Sequence, residues 1–370
     1  MKAQNPSQDP ARQERLLAML TSPAMFLRDL DPLRGIATFT PMSEESYRNS
    51  AFLDNRIQRA GERDIAIDLD DLLDLVQTRP HRHRPIHYVF HIGHCGSTLL
   101  SRILGDRDCF LALREPPLLM GLSRSMRALG RPGFPISRER WESLLSLSLW
   151  MLSKTWRPEQ TVLVKPTSQA GGLIPVLMDY TGLEKAVLLY VDLETHLPMI
   201  LRPHTRRETR LFAADYAVRD FARLAPGYPD SPDRYTVAQL AVMSWLLHVR
   251  DFAGITAQAS AAARCLPLHF EAFLRRPGDA IVEICRFFGQ PVKHSELERL
   301  TSPDLLQRAA KSTDQTYGED ARRRELESAR QEYRQEIEEG LTWADRVCRL
   351  PAFSGLRERF SQASGLPEQT

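Results

Sequence analysis

The hydrophobic and polar pattern changes character near residue 87. Upstream, apolar positions recur at helical spacing: in IAIDLDDLLDLVQ, residues 65–77, Leu69, Leu72, Leu73 and Val76 fall on one face and predict a helix. The run HYVFHIG, residues 87–93, is instead short, aromatic and β-branched. It ends in glycine and passes through Ser97 and Thr98 into an apolar helical pattern reaching Leu104. This reads as strand, tight turn, helix. Further short apolar runs follow at Cys109–Leu113, at TVLVK (161–165), at KAVLLYV (185–191) and at CLPLHF (265–270). Continuous apolar strands of this kind belong to parallel sheets covered on both faces.

Helical patterns separate these strands. They fill 116–156, with a break at Gly130–Pro135, and 193–263, with one long helix predicted over 237–263. Pro277–Gly289 reads as a helix with proline near its start and glycine at its end. The charged stretch 318–345 predicts a further helix with one solvated side. Strands alternating with helices imply an α/β fold with a doubly wound parallel sheet and helices on both faces. The expected organisation is a helical extension over 1–85, an α/β core over 86–300 and a C-terminal helical segment over 301–370.

Composition narrows the function classes. The 370 residues are 42% hydrophobic and 26% charged, with a net charge of +2, an ordinary globular balance. Nothing here asks for a nucleic-acid partner, which a basic excess would suggest. The five cysteines form no C-x-x-C pair, which argues against a disulfide framework or a cysteine-rich zinc site. No signal-type apolar run opens the chain and no stretch is long enough to span a membrane. A cytoplasmic protein is expected, without a membrane partner and with its oligomeric state open.

The candidate chemistry begins at the turn after the 87–93 strand: Gly93, His94, Cys95, Gly96, Ser97 and Thr98. The glycines permit a sharp turn and close approach of the backbone to a ligand. Ser97 and Thr98 open a helix, whose first N–H groups and dipole favour an anion. The Walker lysine of nucleoside-triphosphate loops is missing. Without a ligand, the same residues form a serine-capped glycine turn.

The stretch HIGHCGSTLLSRIL resembles the 5′-phosphosulfate loop of sulfotransferases, P-[KR]-[SG]-G-[ST]-[ST]-x-L, with His94 in the basic position. LALREPPLL is similar to the segment carrying the catalytic glutamate of the tyrosylprotein and heparan types, which falls on Glu115. VLVKPT resembles the family's third-strand lysine segment, which falls on Lys165. CLPLHFEAFLRRPGDAIVEICRFFG is similar to a late conserved block centred on Phe270-Glu271. The matches keep their order over about residues 87–290.

This resemblance implies a P-loop-like fold and transfer of a sulfuryl group from 3′-phosphoadenosine 5′-phosphosulfate (PAPS) to a hydroxyl or amine. The acceptor would be a small molecule, carbohydrate or peptide, and no metal is required. It gives Glu115 the general-base role, Lys165 the charge on the bridging and leaving oxygens, and residues 93–98 the 5′-phosphate. The sequence departs from the family where the 3′-phosphate is held: Val191 stands for an arginine and Met199 falls near a serine position. Arg202 and Arg206, in a stretch with four arginines in nine residues, are candidate substitutes, as are Lys311 and Ser312. Rival readings are a P-loop kinase or NTPase, a non-catalytic nucleotide binder of the same fold, a metal site among His81, His83, His87, His91, His94 and Cys95, and a Cys95–His94 nucleophile.

Overall fold

The structure is a computed structural model, and it describes residues 10–57, 63–78, 84–307 and 319–361. Five parallel strands form the main sheet: β4 (Ile86–His91), β5 (Phe110–Arg114), β6 (Thr161–Lys165), β7 (Ala186–Tyr190) and β8 (Cys265–His269), in the order β5-β6-β4-β7-β8. Every predicted apolar run became a strand. All residues of β4, β5 and β7 are buried, so the sheet needs no polar alternation. The expected α/β fold with a P-loop-like parallel sheet flanked by helices is observed.

The chain packs as two units, Met1–Val89 with Ser101–Lys185 and Phe90–Leu100 with Ala186–Thr370. In the first, β6 pairs with β5 from Phe110↔Thr161 to Arg114↔Lys165 and with β4 from Ile86↔Val162 to Tyr88↔Val164. The glutamate after β5 and the lysine ending β6 therefore leave adjacent strand ends.

This unit also corrects the helical reading of residues 1–85. Helices occur at Pro10–Thr21, Glu44–Asn49 and Leu69–Thr78, but between them runs an antiparallel sheet of β1 (Met25–Asp31), β2 (Ile36–Pro41) and β3 (Ile65–Asp68). The helix predicted over 65–77 begins late, because Ile65–Asp68 pairs with Ile36–Phe39. The Asp68 carboxylate then accepts from the N–H groups of Asp70 and Asp71 and starts the helix at Leu69.

In the second unit β7 pairs with β8 in register from Ala186↔Cys265 to Tyr190↔His269. The long helix starts at Val237 with a capping box between Thr236 and Gln239, and stops at Ala257. Extended Gln258 separates it from a short helix, Ala259–Ala262, so the element predicted over 237–263 is two. The charged tail is likewise two helices, Glu319–Glu332 and Arg334–Val347, broken at Tyr333. Trp245 on the long helix is fully buried and donates its indole N–H to the Val191 carbonyl at 2.9 Å. Strand order reverses direction between β4 and β7, and ligands of open α/β sheets bind beyond the carboxyl ends of the strands at such a point.

Candidate active site

In the second unit the chain leaves β4 through a turn with three left-handed residues: Gly93 (φ 84°), His94 (φ 50°) and Gly96 (φ 79°). His91 fixes the start of the turn by accepting the Gly93 N–H on Nδ1 at 3.0 Å. Gly96 is obligatory twice over. Its φ disfavours any side chain, and a Cβ there would lie 2.0 Å from the Phe270 ring. The Gly96 carbonyl accepts the Leu100 N–H at 3.2 Å and begins the helix Ser97–Gly105. Ser97 and Thr98, both buried, sit in the first turn, where N–H groups lack intrahelical partners.

Cys95 is fully buried, with its thiol directed at the Leu189 carbonyl, 3.5 Å away. This geometry removes the nucleophile reading; only the backbone of Cys95 serves the turn. His94 points elsewhere, with Nε2 3.7 Å from a Glu208 carboxylate oxygen.

The departures at Val191 and Met199 have a structural counterpart. Val191 is fully buried, while Met199 is in contact with Arg322, whose Nη2 is 3.6 Å from the Met199 sulfur. The same Nη2 donates to Glu271 at 2.8 Å, and the guanidinium lies 5.0 Å from the Phe270 ring centre. Arg322 is 7% exposed, and its buried Nε has no hydrogen-bond partner among the described residues. One aromatic ring thus touches the glycine turn on one side and a buried cation on another. Pro198, Met199, Arg202, Arg322, Glu325 and Leu326 line a narrow crevice beside it.

Of the arginines expected to replace the missing ligands, Arg202 borders this crevice and is ion-paired to Glu325. Arg206 makes a two-point pair with Glu336, at 2.7 and 3.0 Å, and donates Nε to the Leu201 carbonyl. Arg206 is therefore committed to holding helices together. Lys311 and Ser312 lie outside the described residues.

Asp192 caps the helix Leu193–Ile200 through the Thr195 N–H, and its carboxylate lies 3.3 Å from His269 Nε2. Burial pushes its pKa up, but hydrogen bonds from His269 and Thr195 outweigh that and hold it below the usual carboxylate range.

In the first unit Glu115 follows β5 with φ 53°, although Pro116 comes next and restricts it to extended conformations. Its N–H donates to the Lys165 carbonyl at 2.6 Å. The Lys165 ammonium donates to Glu115 Oε1, and the Lys165 side chain is only 1% exposed. Arg56 lies 3.9 Å from the other carboxylate oxygen. Arg114 faces away, its guanidinium donating to the carbonyls of Tyr47, Arg48 and Ser50 and so closing the helix Glu44–Asn49. Adjacent side chains at the strand end thus serve different partners.

The solved structures this chain resembles include two sulfotransferase domains and a retinol dehydratase. The sulfotransferase domain of the curacin biosynthetic pathway is 14% identical at a TM-score of 0.37, covering 72% of this chain and 99% of that one. The sulfotransferase domain of the Synechococcus PCC 7002 olefin synthase is 17% identical at 0.36, covering 70% and 98%. Retinol dehydratase, solved with androsterone and inactive cofactor PAP, is 13% identical at 0.35, covering 92% and 95%. No family model matches the chain, and no curated protein matches it.

Two of the strand histidines of the rival metal reading have structural work. His87 Nδ1 accepts the Lys185 N–H, and burial lowers its pKa to about 4; His91 caps the turn. Among the described residues no group of three or more His, Cys, Asp or Glu is placed to hold a metal; His81 and His83 lie outside them. No described helix is long and apolar enough to cross a membrane. Sequence reasoning missed Arg322, which sits in an unremarkable charged run, and Phe52 and Arg56, which lie in a loop without a motif.

Proposed function

We propose that this protein is a PAPS-dependent sulfotransferase acting on a hydroxyl or amine. The reading assigns the 5′-phosphate to the backbone of residues 93–98 with the hydroxyls of Ser97 and Thr98, a helix N-terminus being the natural receptor for such a group. It assigns the 3′-phosphate to Arg322, with Arg202 at the crevice rim, in place of the arginine and serine that Val191 and Met199 replace. A buried guanidinium whose Nε is unpartnered among the described residues suits a bidentate anion, which would exchange with Glu271.

In the reaction Glu115 accepts the proton of the acceptor while its oxygen or nitrogen bonds to sulfur. The bond from sulfur to the bridging phosphate oxygen breaks, and adenosine 3′,5′-bisphosphate leaves with its charge met by Lys165. Positioning and fixed charge carry the rate, since a sulfuryl group bears less charge than a phosphoryl group. Without substrate, Lys165 neutralises Glu115 and keeps the buried ammonium compensated.

One observation supports this reading above the others. Among the described residues only two non-glycine residues are left-handed, and they are His94 and Glu115. Strain of this kind persists where the surroundings over-determine it, typically at functional sites. The test is thermal unfolding with adenosine 3′,5′-bisphosphate, ATP–magnesium or neither. Stabilisation by the bisphosphate alone is expected. Stabilisation by ATP–magnesium alone would favour a kinase, and no shift with either ligand would contradict a nucleotide site.

A further inference from the structure

The Glu115–Lys165 pair has a third wall that neither strand supplies. Residues Phe52–Arg56 fold over it, tied to β5 by the Leu53 N–H, which donates to the Arg114 carbonyl at 2.8 Å, one residue before Glu115. Phe52 is 4% exposed. Its ring centre lies 5.4 Å from the Lys165 ammonium and 3.7 Å from the Arg56 guanidinium. Arg56 is in turn held by Asp54 and reaches within 3.9 Å of the free side of the Glu115 carboxylate.

These contacts solve a physical problem. The ammonium of a side chain that is 1% exposed has lost most of its water and needs protein partners. Glu115 supplies one. The electron-rich face of an aromatic ring supplies another, and it attracts a cation without the directional demand of a carboxylate. Lys165 has four rotatable side-chain bonds, so a wall that limits where its ammonium can rest also limits its distance from the reacting oxygens. Arg56 fixes the ring from its other neighbour and places a second positive charge beside Glu115.

We propose that Phe52 is a positioning residue of the reaction centre, holding the Lys165 ammonium against Glu115, with Arg56 fixing the ring; this rests on the sulfotransferase reading for its catalytic consequence, though not for its geometry. The segment lies before residue 87, outside the stretch whose sequence motifs resemble those of sulfotransferases.

The ammonium protons of a buried, ion-paired lysine exchange slowly enough to be seen by 1H–15N NMR. The chain has six lysines, so Lys165→Met identifies the signal. The Lys165 ammonium signal is expected in the wild type and in Phe52→Tyr, and broadened beyond detection in Phe52→Leu. If Phe52→Leu does not fold, Arg56→Met, at a side chain that is 55% exposed, decides by the same signal. In sulfuryl transfer Phe52→Leu should lower kcat about fivefold with the donor KM unchanged, and Phe52→Tyr should restore it. A Lys165 signal as sharp in the leucine variant as in the wild type would overturn the proposal whether or not transfer is detected. A wild type that transfers nothing would sink the sulfotransferase reading and leave the ammonium measurement to decide the positioning role.

Discussion

At the scale of single residues, burial and backbone conformation separate functional side chains from supporting ones. Gly96 combines a left-handed φ with a Cβ position filled by Phe270. Gly96→Ala should cost about 3 kcal/mol of stability in urea unfolding, as overpacking plus backbone strain. Trimming the ring in Gly96→Ala/Phe270→Leu should recover part of it; no recovery would show that the ring is not the obstacle. Buried Lys165 and half-buried Glu115 form a pair whose halves depend on each other. Glu115→Gln removes the carboxylate from beside a buried ammonium and should cost about 3–5 kcal/mol, while Glu115→Gln/Lys165→Met should be less destabilised than that single variant. Additive losses would contradict the coupling. Two buried histidines add an acid limit. Burial lowers His196 to about 3 and His87 to about 4, so each folds neutral and protonates only in the unfolded chain near its ordinary pKa. Their stabilisation is complete above about pH 6.5 and falls, by up to about 1.4 kcal/mol per pH unit for each, as pH drops towards the folded values. Urea unfolding at pH 7 and pH 5 should show this loss, reduced in His196→Gln. Equal losses in both proteins would remove His196 from the account.

Among the elements, those with continuous apolar character were legible and those defined by partners were not. TVLVK and KAVLLYV read as strands because their apolar residues follow one another without the polar alternation of a half-exposed strand. The strand Ile65–Asp68 was hidden because its residues also continue the period of the helix that follows, and only pairing with β2 distinguishes the two. The turn 93–98 was legible through its glycines, whose left-handed angles local sequence can specify. Arg322 was not, because one arginine among many looks solvated until Phe270 and Glu271 enclose it. The arginines chosen from sequence density illustrate the converse. Arg206 is spent on Glu336, so Arg206→Ala should lower stability by about 1 kcal/mol and leave bisphosphate affinity unchanged. Arg322→Met should weaken that affinity at least tenfold, as loss of a charge-assisted anion contact. Matching affinities for the two variants would reverse this assignment.

For the whole molecule, strand order places the glycine turn and the loop after β7 at the reversal of the parallel sheet, where an α/β protein of any chemistry would bind its ligand. The architecture therefore locates a site but does not choose the reaction. The choice rests on side chains: a glycine turn without the Walker lysine, proposed here to bind an anion, a buried arginine enclosed by Phe270 and Met199, and a carboxylate paired with a buried lysine. The central claim is that the turn and Arg322 together bind a nucleotide carrying both 3′- and 5′-phosphates. Isothermal titration of wild type, Arg322→Met and Ser97→Ala/Thr98→Val with adenosine 3′,5′-bisphosphate and with adenosine 5′-monophosphate tests it most directly. The account predicts that the bisphosphate binds the wild type at least tenfold more tightly than the monophosphate. Arg322→Met should erase that preference, and the loop variant should weaken both ligands. Equal binding of the two nucleotides by the wild type, or a preference that survives in Arg322→Met, would contradict it.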